Sequence, residues 1–231
     1  MRLYNNLIGE IKGSLTNSIK LEDNNIKLNV TNKNSVIFLS DTAFELGGNN
    51  KPCVSSLAVS SDLKFSNTVF LQGKDLNEIK SDSPFGKFVF VQIENFPDEQ
   101  DTFNKIKELE ALRYHLSVDG FMTRASALNM REQIRVSKTA IKSGVTFGDY
   151  GNALLSQYLK FPYVKSAEIY FVTESCDFDA LNSVAKKISQ TTSALNHIFD
   201  NVMFDCSSCN LKEICDEVDG LKELHLKNVK K

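Results

Sequence analysis

Residues 167–173 read Ala167-Glu168-Ile169-Tyr170-Phe171-Val172-Thr173. In an extended chain successive side chains point to opposite faces. Ile169 and Phe171 therefore share one face, and Tyr170 and Val172 share the other. Both faces are apolar, so this strand belongs at the centre of a sheet that is covered twice.

The flanking sequence supplies the covering layers. Residues 177–199 place Leu181, Val184, Ile188, Leu195 and Ile198 at helical spacing. Residues 149–160 read as a second helix, ending near Pro162. Further back, 133–137 reads as a strand and 138–143 as a short helix stopped by Gly144. Pro97 and Asp98 open a helix over 97–118, with Phe103, Ile106, Leu109, Leu112 and Leu116 along one face. Before residue 95 the pattern is mostly of short strands at 25–30, 35–40, 54–59, 68–72 and 87–93, broken by Gly, Asn, Asp or Pro. The first dozen residues suit a helix. Strands first and mixed elements afterwards give an α+β fold with mixed sheets and packed helices.

Only 4 Pro and 11 Gly are spread over 231 residues, with no repeat and no low-complexity stretch, so no linker divides the chain. The expected organisation is a body over 1–200, with possible subdomains at 1–95 and 96–200, and a cysteine-rich segment over 201–231. Charged residues nearly cancel, leaving a net charge of -2 without a basic stripe, which argues against nucleic acid as a partner. No apolar run approaches the roughly 20 residues of a membrane span, and the N-terminus lacks the apolar core of a signal peptide. A cytoplasmic protein is expected, its five cysteines reduced or bound to metal.

Three of those cysteines lie within ten positions, as Cys206-x2-Cys209-x5-Cys215. A Cys-x-x-Cys turn brings two sulfurs to one side of a tight knuckle, and thiolates held so closely need a cation. His225 is the next soft donor downstream, while Asp216, Glu217 and Asp219 suit harder ions. Spacing alone leaves an iron–sulfur cluster and a Cys3His zinc site open. The radical-enzyme spacing Cys-x3-Cys-x2-Cys is absent.

Several blocks resemble the β subunit of the carbon monoxide dehydrogenase/acetyl-CoA synthase complex. Phe44-Glu45-Leu46-Gly47-Gly48 is similar to that family's V-E-L-G-G, and Gly73-Lys74-Asp75-Leu76-Asn77-Glu78-Ile79 to its G-P-D-L-D-E-M. Pro84-Phe85-Gly86 resembles its P-F-G, and residues 134–141, Ile-Arg-Val-Ser-Lys-Thr-Ala-Ile, its I-R-I-S-K-x-A-V. Residues 167–174 resemble the strand running into T-D-E. These blocks occur in family order, covering only the central and cluster regions, so the chain looks like a truncated relative.

The resemblance implies a [4Fe-4S] cluster, because the family holds one through Cys-x2-Cys-x8-Cys-x9-Cys beside a dinuclear nickel site. Cys206 and Cys209 match the first pair, Cys215 the third after a shortening, and His225 stands at the x9 position of the fourth. It further implies redox or one-carbon work in an anaerobic setting, with a redox or corrinoid protein as partner. The family's nickel-binding Cys-Gly-Cys does not occur in these residues, and Gln133 and Thr123 stand where the family has a tryptophan and a histidine. Complete acetyl-CoA synthase activity is therefore not expected, and no catalytic residue is assigned. The alternative is a non-catalytic interaction module stapled by zinc.

The remaining candidates carry plainer expectations. Cys53 and Cys176 read as packed thiols, His115 and His197 as partly buried hydrogen-bonded side chains, Glu108 and Glu110 as a solvated face, and Gly47-Gly48 as a turn. No Walker A loop, G-x-G-x-x-G after a strand or Ser/His/Asp spacing occurs.

Overall fold

The computed structural model describes residues 2–22, 24, 26–31, 38–39, 41–48, 50–126, 130–199 and 209–229. Its elements in chain order are α1 (Asn5–Ser14), β1 (Ile19–Lys20), β2 (Val30–Thr31), β3 (Ala43–Leu46), β4 (Cys53–Ser60), β5 (Thr68–Gln72), β6 (Phe85–Ile93), α2 (Glu99–His115), β7 (Ser117–Val118), β8 (Phe121–Ser126), β9 (Arg131–Ser137), α3 (Lys138–Lys142), α4 (Phe147–Tyr158), β10 (Val164–Val172), α5 (Phe178–Phe199), α6 (Lys212–Glu217) and α7 (Leu221–Val229). The fold is α+β.

The doubly apolar strand is β10, and it is central. The main sheet runs β1-β5-β10-β6-β4, with β10 parallel to β5 and antiparallel to β6, and β4 parallel to β6. Register assigns the faces. Phe171 lies opposite Lys87 and Leu71, and Lys87 lies opposite Ser55, so these four share one face. There Phe171 meets Phe147 and Tyr150 of α4, with ring centroids 4.8 and 5.6 Å away. On the opposite face Glu168 accepts from Lys12 of α1 at 2.8 Å, and Tyr170 stacks on Phe70 at 4.6 Å. Tyr4, at the N-cap of α1, and Thr192 of α5 share a buried 2.9 Å hydrogen bond, which ties the two helices on that face together.

Helix α4 lies flush on the sheet because Gly151 carries no side chain. A Cβ there would sit 2.6 Å from both methyl carbons of Val69 and 3.0 Å from the Phe171 ring. Both Val69 methyls are in the way, and a β-branched side chain in a strand has little rotamer freedom. Replacing glycine by alanine in a helix usually gains about 1 kcal/mol, but overpacking a core costs roughly 1–3 kcal/mol. Gly151→Ala is therefore expected to lower stability, by an amount on the order of 1 kcal/mol. Denaturant unfolding checks this, and a gain in midpoint would contradict the tight contact.

Two smaller sheets complete the fold, β3-β9-β8 and β2-β7. Some sequence expectations need correction here. The strand expected over 25–30 shrinks to Val30–Thr31, because its partner β7 is itself only two residues long. The strand expected over 35–40 lies mostly outside the described residues. Strands β3 and β8, which carry no strong alternation, pair on either side of β9. Gly47 adopts φ +76°, the left-handed conformation expected of the turn after β3.

The C-terminal helices are built into the same core as the body. Leu211, Ile214, Val218, Leu221 and Leu224 recur at helical spacing, are all buried, and pack with α5 as part of one continuous hydrophobic cluster. Among the described residues, no helix is long and apolar enough to cross a membrane.

Candidate functional site

The cysteine run begins outside the described residues, which exclude Cys206, and continues onto the C-terminal helices. Cys209 precedes α6, and its carbonyl accepts from the Lys212 amide at 3.2 Å, so it is fixed at the helix entrance. Cys215 sits within α6, its amide donating to the Leu211 carbonyl at 3.1 Å. Both thiols are half-buried against the core, and neither is in a disulfide. The stripe from Leu211 to Leu224 is what holds them there, since it anchors α6 and α7 on α5.

Two of the three harder donors nearby are engaged elsewhere. Asp216 accepts from Lys222 at 2.7 Å, and that hydrogen bond holds its carboxyl below the usual range. Glu217 pairs with Lys187 of α5. His225 is half-buried on α7. No group of three His, Cys, Asp or Glu side chains among the described residues is placed to hold a metal ion. Cys209, Cys215 and His225 thus do not form a site by themselves. Cys209 and Cys215 stand on one buttressed helix–turn unit, and thiol side chains are the donor type that suits thiophilic metals.

The other two cysteines are brought together at a different place. Cys53 at the start of β4 and Cys176 before α5 line one open pocket of about 560 Å³, together with Lys51, Arg131, Asp177 and Asn182. The Cys53 thiol donates to the Glu132 carbonyl at 3.4 Å. Burial pushes both thiols up, and at Cys176 the carboxylates of Glu174 and Asp177 add to it. Thiols held in the protonated form are poor nucleophiles and poor ligands. Both fit the expectation of packed side chains.

One cluster has no counterpart in the sequence reading. On β9 every second residue is buried, so Glu132 points inward in line with Ile134 and Val136. It pairs with Lys87 of β6, and the Lys87 and Glu132 side chains are only 4% and 0% exposed. The Arg113 Nε of α2 lies 3.7 Å from the second Glu132 oxygen, and the Arg113 Nη2 donates to the Ser55 hydroxyl. Burial pulls Lys87 below the ordinary lysine range, while Glu132 raises it and Arg113 lowers it further. Three charges at core positions join the main sheet, the small sheet and α2. Two further expectations change with this geometry. Glu110, read as solvated, is half-buried beside Arg113, and burial pushes its carboxyl up. His115, read as partly buried, is exposed at the end of α2.

A mixed sheet with helices on both faces, a small sheet locked to it by buried ions and a cysteine-bearing helical extension together define an α+β scaffold that presents a thiol-rich C-terminus. The family model of the CO dehydrogenase/acetyl-CoA synthase complex beta subunit matches residues 26–178, well over half of the chain. The chain belongs to that family. The matched span contains Lys87, Arg113 and Glu132 and stops before the cysteine run. No curated protein matches the chain.

Proposed function

We propose that this chain is an acetyl-CoA synthase-like scaffold whose C-terminal Cys206, Cys209 and Cys215 bind an iron–sulfur cluster, [4Fe-4S] in type, with His225 as the fourth-ligand candidate. The observation that supports it is the docking of α6 on α5, which keeps two thiols outside any disulfide half-buried, six positions apart, on a fixed support. Such a cluster, when bound, supplies one-electron chemistry. The residues of the chain contribute soft donors, and the core stripe under them limits solvent access.

The work proposed is redox or one-carbon metabolism, with a redox or corrinoid protein as partner, in the cytoplasm of an anaerobic cell where thiols stay reduced. The body over 1–200 supplies the family scaffold and 201–231 the cluster-binding segment. A nickel-dependent carbon–carbon bond formation is not part of this proposal.

Metal and sulfide analysis of anaerobically prepared protein tests the reading. The expected result is about four iron and four sulfide per chain, with both lost in a Cys206→Ser/Cys209→Ser variant. Stoichiometric zinc without sulfide, persisting after anaerobic reconstitution, would instead establish the zinc-stapled interaction module.

A further inference from the structure

We draw no further inference here: the strongest candidate, the open pocket between the start of β4 and the start of α5 that Cys53 and Cys176 line, offers two thiols that burial keeps in the protonated form and balances Lys51 and Arg131 with Asp177 and Asp179, so nothing in the structure shows what would occupy it.

Discussion

Glu132→Gln is expected to cost about 3–5 kcal/mol of stability, the usual effect of removing one member of a buried ion pair. The cost arises from the partners left behind. Without the carboxylate, Lys87 keeps its charge in a site that is almost fully enclosed, and Arg113 loses its nearest counter-ion. The loss should shrink as pH rises, and the sign follows from Lys87. Burial already places its folded-state pKa below the ordinary 10.5. A lysine depressed in this way favours the folded state most above the unfolded value, and that contribution is lost as the pH falls from 10.5 toward the folded value, below which both states carry the proton. Removing Glu132 takes away the one group that raises Lys87, so the variant should recover part of its lost stability between neutral pH and about 10. Denaturant unfolding of both proteins across that range measures it. A pH-independent difference would show that Lys87 is not charged in the folded protein at neutral pH. A loss below about 1 kcal/mol would show that the cluster is solvated.

That cluster is legible in part. Lys87 interrupts Phe85-Gly86-Lys87-Phe88-Val89-Phe90, a run whose apolar character marks a strand buried on both faces, so the lysine had to be buried too. Glu132 is in phase with Ile134 and Val136, and Arg113 lies four residues after Leu109 on the buried face of α2. Each signal is a charge at a core position, but pairing the three requires knowing that β9 crosses onto β6 and β4, and sequence periodicity carries no such information.

The elements that were legible are those whose own residues specify them. Residues 68–72 and the central strand carry β-branched and aromatic residues on both faces, and α5 carries a complete apolar stripe. Strands β2, β7 and β8 have little pattern of their own and exist because a neighbour pairs with them. The cysteine run behaves in a third way. Its spacing is compatible with soft-metal chemistry, but what positions Cys209 and Cys215 is the stripe from Leu211 to Leu224, whose target on α5 is remote in sequence. The family match reinforces this division, since it spans the ion cluster and leaves the cysteine run to the residues beyond it.

Phe171→Ala should produce the largest loss of any single truncation in the sheet, about 3–5 kcal/mol, the range for emptying a fully buried aromatic site. Phe171 is completely enclosed, and its ring lies 4.8 Å from Phe147, 5.6 Å from Tyr150 and 6.0 Å from Phe85. These neighbours belong to α4 and β6, so the cavity would open where helix and sheet meet, and neither backbone can collapse into it without breaking sheet pairing. For a domain of this size each kcal/mol moves the melting midpoint by about 2–4 °C, so a drop on the order of 10 °C is expected. Phe70→Ala is the internal comparison. Phe70 is on the neighbouring strand and stacks on Tyr170 at 4.6 Å, but on the opposite face and only half-buried. Water can reach the space it leaves, so its loss should be about 1–2 kcal/mol. Equal losses from the two truncations would mean that both faces of the sheet are packed alike. A small loss at Phe171 would mean that α4 can follow the missing ring inward, which the contact between Gly151 and Val69 forbids.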